Sequence, residues 1–395
     1  MARGVADQLD VAVIGAGPFG LSIAAHLQDR AVRVFGAEME TWRHRMPREM
    51  LMRSAWDETS LSAPGGVGTI DNWLKAANET RQEPIPLELF LRYSQWFIDR
   101  FVADRDSSDI ANVELNGSGY RLTTAAGTEV DARTIVLSVG VMPFAYVPAP
   151  LKELFGGEVA LATGSPDDAQ RYAGRRVLVV GGGQAGLESS GLAAHAGAKV
   201  ELVTRSNVRW FADREPHHPR TPFRQKLYKL AYPVVGYGPP PLNRFAIHPD
   251  LFAALPESTR RKLTGRLLRS GGSPWLRKIT EREVKITEHC TVVSVEKQGD
   301  ALLVRLSDGS EREVDDVIIA CGYRFDLERL EFLAPEVRSR IAIRNGWPVL
   351  DRYFRSTDPN VIFVGYAAEN RFGALSRFVL GADFTATRVR RLFDK

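Results

Sequence analysis

The chain of 395 residues is 44% hydrophobic and 25% charged with a net charge of +4, an ordinary globular balance with room for two cores of domain size. Its two cysteines, Cys290 and Cys321, lie far apart without a C-x-x-C pair, which leaves out a disulfide framework, a zinc site and a redox-active dithiol. No apolar run approaches the length of a membrane span and MARGVADQLD has no room for a signal peptide, so a soluble, cytoplasmic protein with no membrane partner is expected.

In chain order, LDVAVI predicts a first strand, and Gly15, Gly17 and Gly20 follow in G-x-G-x-x-G spacing at the head of a helix that begins with Pro18 and Phe19. Each glycine has a reason. The first permits a tight strand-to-helix turn, the second lets a pyrophosphate approach bare backbone, and the third lets the helix pack close on the strand. AVRVFG predicts a second strand ending at Gly36, and Glu38 is the nearest carboxylate for a ribose, or else a surface acid. An aromatic-rich irregular stretch holding Trp42, Arg53 and Ser54 precedes a helix around TIDNWLKAAN. The next helix is amphipathic, with Pro86 near its first turn and Leu87, Phe90, Leu91, Ser94 and Phe97 on one face. Hairpin-like strands separated by NGSG and AAGT then lead into a buried strand at Thr134–Val139, closed by Gly140.

The design repeats midway. RRVLVVGGGQAGLESSGLAAHAGAKVELVTRS carries Gly181, Gly183 and Gly186, with Gln184 and Ala185 between them, while Gly182 has no expected role. Its second strand ends in Thr204, Arg205 and Ser206 with no acid; Arg205 can grip a 2′-phosphate in bidentate fashion and Ser206 can donate to it, which favours NADPH over NADH. A second meander and a closing strand end at Gly322 and Tyr323, and the C-terminal part adds a strand, a turn at Gly365 and a final helix. Two dinucleotide sites in one chain pair most simply as FAD held permanently and NADPH as hydride donor. The expected fold is α/β, with two Rossmann-like domains of three-layer ββα type. The FAD-binding domain is expected at 1–141 and 325–395 and the NADPH-binding domain at 142–324, with 207–278 as a helical insertion that contributes to a substrate site.

That insertion is rich in cations: Arg205 to Lys278 holds fifteen Lys or Arg against four Asp or Glu. Most of these form a solvated basic face, and no reader motif supports nucleic acid. Trp210, Phe211, Phe223, Tyr228, Tyr232, Tyr237 and Phe245 either line an aromatic pocket or fill a small helical core. His217 and His218 beside Asp213 and Glu215 read as a solvated loop, and no metal site is expected.

GAGPFGLS, ETW at Glu40–Trp42, GGGQAGLES and ACGYRF together make the chain similar to the class B flavoprotein monooxygenases over nearly its whole length. GGGQAGLES most resembles the N-hydroxylating branch, with Gln184 and Glu188 kept and Ala185 in place of Ser. Leu161 stands where the FxGxxxH fingerprint of the flavin-containing and Baeyer–Villiger branches, begun here at Phe155 and Gly157, has its histidine, which counts against a Baeyer–Villiger assignment, and Tyr366 stands where disulfide-reductase relatives carry Asp. The resemblance implies that NADPH reduces the flavin and that a C4a-hydroperoxyflavin oxygenates a soft nucleophile, amine nitrogen or sulfur, of a small molecule. The flavin carries the chemistry and no catalytic side chain is singled out. A reductase that passes electrons to an acceptor without oxygenation is the alternative. The same layout implies that Asn370, Arg371 and Phe372 lie near the flavin ring and the substrate, with dioxygen as co-substrate. Homo-oligomerisation is left open.

Overall fold

The computed structural model describes residues 8–154, 159–162, 168–211, 243–268 and 270–394. Its elements form two Rossmann-like units. In the first, parallel strands β1 (Leu9–Ile14), β2 (Val32–Phe35), β3 (Arg105–Asp106) and β6 (Glu129–Leu137) lie in the order β3-β2-β1-β6. β5 (Gly119–Thr124) adds antiparallel to the front half of β6, whose rear half pairs with β1, and β4 (Ile110–Asn116) adds antiparallel to β5. β17 (Val361–Phe363), from near the C-terminus, closes the parallel set against β6.

The second unit repeats this order as β10-β9-β8-β14-β7, all parallel, from β7 (Val159–Leu161), β8 (Arg176–Val180), β9 (Lys199–Val203), β10 (Lys285–Thr287) and β14 (Asp316–Ile319). Its meander, β11 (Val292–Gln298), β12 (Ala301–Leu306) and β13 (Glu311–Val314), differs from the first: it is a separate sheet, because the long closing strand is broken at Asp315. The layering follows from period-two alternation inside strands that are apolar throughout. Leu178 and Val180 face the meander with Leu302, Val304 and Leu306, while Val177 and Val179 face Leu187, Ala193 and Leu276 of the helical layer.

The helices at Ile70–Ala77 and Leu87–Phe101 form as expected, the first capped by Thr69, whose hydroxyl accepts from Asn72 N, and the second entered through Pro86. Along the second, Leu91 is only half-buried, and Leu89, Tyr93 and Ile98 join Phe90 and Phe97 in the core. The described part of the insertion is helical, at Asn243–Ile247, Pro249–Ala254 and Glu257–Leu267, and the helix Pro274–Glu283 runs on past residue 278. His217, His218, Asp213, Glu215, Phe155, Gly157, Phe223, Tyr228, Tyr232 and Tyr237 lie outside the described residues. The chain crosses between units on two adjacent segments, which bridge at Ala145 and Tyr323, with Tyr146 N donating to Gly322 O and Arg324 N to Phe144 O, both at 2.8 Å.

Candidate functional site: two glycine cradles and the seam between them

Each fingerprint sits where its first strand ends between two neighbours. Gly15 N donates to Phe35 O at 2.8 Å and Gly181 N to Val203 O at 2.9 Å; Ser138 N and Ala320 N donate to Ile14 O and Val180 O, both at 2.8 Å. These bonds put the two loops in one register, so that Gly36 corresponds to Thr204, Glu38 to Ser206 and Gly140 to Gly322.

The three glycines of each loop do different work. The first has a positive φ, +110° at Gly15 and +126° at Gly181, and a Cβ there would stand 2.3 Å from Ser138 O or Ala320 O of the closing strand. The third needs its bareness for packing: a Cβ at Gly20 would meet Gly15 O at 2.0 Å, and at Gly186 it would meet Gly181 O at 1.8 Å. The middle glycine is different. Gly17 and Gly183 head their helices with ordinary φ of −89° and −88°, and a Cβ at Gly17 would touch nothing within 4 Å. The fold therefore has no need of glycine at the middle position, and the space in front of it fits a diphosphate on a helix N-terminus.

Gly182, to which the sequence lent no role, is sterically required. A Cβ there would lie 2.6 Å from Thr204 Oγ1, whereas the first loop carries Ala16 opposite Gly36. Each loop keeps one side chain at this pair of positions, the methyl of Ala16 in the first and the hydroxyethyl group of Thr204 in the second.

Beyond the loops, Glu38 forms an ion pair with Arg105 at 2.6 Å, and Arg43 Nε donates to its carbonyl at 3.0 Å. Trp42 is half-buried with its ring 5.0 Å from that of Phe90, and Ser54 is half-buried. The Arg53 guanidinium lies 4.5 Å from the centre of the Phe211 ring and 5.8 Å from that of Phe378, bridging the first unit, the insertion and the C-terminal turn. Pro18 opens the first helix, and Phe19 beside it packs toward Gly365, whose φ is +65° and where a Cβ would sit 3.6 Å from the ring. Gly140 and Gly322 have φ of +68° and +80° and face open space. In the second unit Ala185 follows Gln184 in the first turn of its helix, and Arg205 and Ser206 are exposed at the strand end; the next two residues are fixed by Glu288, which accepts from Val208 N at 2.7 Å and Asn207 Nδ2 at 2.8 Å. Cys321, just past the closing strand, has its thiol pushed up by burial, while Arg205 and Arg324 pull it down.

Tyr366 takes the place after the Gly365 turn. It is buried, its hydroxyl donates to Tyr323 O at 2.9 Å, and burial pushes its pKa up to about 12. Asn370, Arg371 and Phe372 make mainly packing and docking contacts. Arg371 Nη1 donates to Ala253 O at 3.0 Å, Asn370 O accepts from Arg260 Nε at 3.0 Å, and Phe372 is fully buried with its ring 4.1 Å from that of Phe354. They fasten the insertion to the turn that follows Gly365. The sequence missed the fit of Thr204 against Gly182, Tyr366 as a bridge, and the loop Ser270–Ser273, which lies against the second cradle. Among the described residues no cluster of His, Cys, Asp or Glu fit for a metal occurs, and no helix is long and apolar enough to cross a membrane.

Residues 12–227 match the family model of the pyridine nucleotide-disulphide oxidoreductases, and residues 259–377 match a second model of the same description. The chain belongs to the pyridine nucleotide-disulphide oxidoreductase family. It is 28% identical to indole-3-pyruvate monooxygenase YUCCA1 of Oryza sativa subsp. japonica over 85% of this chain and 83% of that one. Its fold is like that of the ornithine N-hydroxylase of Kutzneria sp. 744, with a TM-score of 0.75, 17% identity and coverage of 98% and 99%. It is also like the bacillithiol disulfide reductase of Staphylococcus aureus, at 0.65 and 13%, covering 98% of each chain. The expected resemblance to class B flavin monooxygenases is borne out, and the chain is an oxidoreductase of that type, with FAD and NADPH as its cofactors.

Proposed function

We propose that the first cradle holds FAD and the second NADPH, and that the enzyme inserts oxygen into a soft nucleophile, an amine nitrogen or a sulfur, of a small molecule in the cytoplasm. On this reading the FAD-binding domain is 1–141 with 325–395, and the NADPH-binding domain is 142–324. The observation that carries it is the pair of middle glycines: a Cβ at Gly17 would meet nothing within 4 Å and one at Gly183 only an ordinary contact with Ser270, whereas at the outer glycines it would strike backbone oxygens.

When bound, the flavin supplies hydride acceptance and oxygen activation. The chain's own residues bind, orient and exclude water. Gly15, Gly17, Pro18, Phe19 and Gly20 form the flavin cradle, and Glu38, braced by Arg105, faces the ribose. Trp42, Arg53, Ser54, Gly140 and Gly365 border the rest of the flavin. Gly181, Gly183, Gln184, Ala185 and Gly186 form the coenzyme cradle, with Gly322 and Tyr323 at its edge. Arg205 and Ser206, exposed and with no acid in their own strand end, take the 2′-phosphate, while the carboxylate beside them, Glu288, is engaged by Val208 N and Asn207 Nδ2. Asn370, Arg371 and Phe372 shape the substrate side by holding the insertion in place. The Arg53 guanidinium between two aromatic rings brings a cation to the seam where insertion, flavin turn and first unit meet.

The test is oxygen accounting. FAD-loaded protein is given NADPH, ¹⁸O₂ and a panel of primary amines, hydroxylamines and thioethers, and products are weighed by mass spectrometry. One labelled oxygen atom in a nitrogen or sulfur product is expected. NADPH oxidation without any labelled product, together with fast reduction of a quinone or a disulfide, establishes the reductase reading instead.

A further inference from the structure

The two cradles match in register but not in surroundings. In front of Gly17 there is open space, whereas a Cβ at Gly183 would lie 3.8 Å from Ser270 Cβ and 4.0 Å from its hydroxyl oxygen. Ser270 is exposed and belongs to the insertion, far along the chain from the second fingerprint.

The loop that carries it is pinned on two sides. Gly272 N donates to Arg209 O at 2.9 Å and Phe211 N donates to Gly272 O at 3.0 Å, so the loop is stitched to the segment leaving the Arg205 strand end. On the other side Ser273 N and Oγ both donate to Gln184 Oε1, at 2.8 and 3.1 Å. Ser273 is the N-cap residue of the helix Pro274–Glu283, yet its hydroxyl makes no capping bond there; it is turned toward Gln184 instead. Gly271 and Gly272 are tight as well. A Cβ at Gly271 would be 3.0 Å from Arg209 O, and one at Gly272 would be 2.6 Å from Leu187 Cδ1 and from the Trp210 ring. The first unit has no counterpart to this tether, because Pro18 stands where Gln184 does.

We propose that Ser270–Ser273 forms a second wall of the coenzyme site, in which the Ser270 hydroxyl donates to a diphosphate oxygen of NADPH and Gln184 is the positioning residue that holds the wall over Gly183. The inference rests on the assignment of the second cradle to NADPH. A diphosphate on bare backbone amides keeps oxygen lone pairs on its outward side, and a hydroxyl beside the middle glycine is placed to satisfy one of them. The wall also explains why two consecutive glycines follow Ser270: the loop must pass between the cradle helix and Trp210 with no side chain of its own.

The experiment compares equilibrium binding of NADP⁺ and of 2′-AMP to the FAD-loaded protein by calorimetry. 2′-AMP carries the phosphate that faces Arg205 but has no diphosphate. Ser270→Ala is expected to weaken NADP⁺ by about tenfold, the loss of one charge-assisted hydrogen bond, and to leave 2′-AMP unchanged. Ser270→Thr keeps the hydroxyl and restores NADP⁺ binding, and Gln184→Leu, which frees the loop, gives the same selective loss as Ser270→Ala. Unchanged NADP⁺ affinity in Ser270→Ala, or equal losses for both ligands, overturns the wall and leaves the NADPH assignment standing. A wild-type protein that binds neither ligand overturns that assignment and the wall with it.

Discussion

The hydroxyl of Tyr366 reaches across from the turn after β17 to the main-chain carbonyl of Tyr323, 2.9 Å away, and so ties the edge of the first cradle to the segment on which the chain leaves the second unit. The Tyr366 ring is packed by Phe144 at 5.7 Å and Trp347 at 5.3 Å, with the Arg377 guanidinium 4.9 Å from its centre. Replacing it with phenylalanine keeps this packing and removes the bond, leaving a carbonyl short of a donor. Tyr366→Phe is expected to lower stability by about 1 kcal/mol in chemical denaturation and to slow flavin reduction by NADPH. With its pKa pushed up to about 12 by burial, the hydroxyl stays protonated, so the difference is expected to be constant from neutral pH to mildly alkaline pH. A difference that fades within that range contradicts the bond.

The glycines of the first cradle separate binding from folding. The Cβ that Gly17→Val adds meets nothing within 4 Å and the φ is ordinary, so the protein is expected to fold with its usual circular dichroism and to emerge colourless. Gly20→Val drives a side chain into Gly15 O and is expected to yield insoluble protein. A yellow, fully loaded Gly17→Val protein removes FAD from this cradle.

Gly182 and Thr204 form a pair whose energies do not add. Gly182→Ala alone is expected to cost about 1–3 kcal/mol by overpacking against Thr204, and Thr204→Gly alone leaves a gap. Together they recreate the Ala16 and Gly36 arrangement of the first loop. Urea unfolding of both single variants and the double one gives the coupling directly, and simple additivity excludes the steric account.

Arg205→Ala is expected to cost NADPH about 1.5–3 kcal/mol in the apparent affinity for flavin reduction while NADH changes little. Stopped-flow reduction with each coenzyme measures both. Equal losses show that Arg205 does not read the 2′-phosphate.

Glu188 is a buried acid with its Oε1 unpaired among the described residues, and burial raises its pKa to about 7. A carboxyl raised on folding is stabilising in its neutral form, so its contribution is complete below the unfolded value near 4.5 and is lost as pH rises through 7. Wild type is therefore expected to lose stability relative to Glu188→Gln between pH 5 and 8, by on the order of 2–3 kcal/mol. Parallel melting curves of the two proteins across that range rule the buried acid out as the cause.

The glycine loops, the flanking strands and both meanders were legible because each rests on short-range rules: a positive φ at Gly15, a period of two along RVLVV, turn residues at NGSG. What depended on partners from elsewhere in the chain was hidden. Gly182 gains its meaning only from Thr204, which stands beside it once β8 and β9 pair. Leu161 was legible only as a missing histidine. In the structure it ends a three-residue strand, β7, paired at Ile319, a register too short to leave a pattern in sequence. The contacts of Asn370 to Phe372 were hidden for a similar reason, since Arg260 and Ala253 reach them from the insertion.

The two sheets share one strand order, but their fifth strands come from opposite directions. β7 precedes the fingerprint strand of its own sheet, while β17 is supplied by the last tenth of the chain, along with the helix Gly381–Arg390 that lies on the helix after Gly17. During synthesis the second unit therefore has all its strands while the first still waits. The fingerprint that leaves the ribosome first belongs to the sheet completed last, and until β17 arrives the rear half of β6, at Ile135–Leu137, lacks its second neighbour. Loss of the final helix thus strikes the N-terminal cradle, whose first helix it covers, at a point where every strand of the central sheet is already in place.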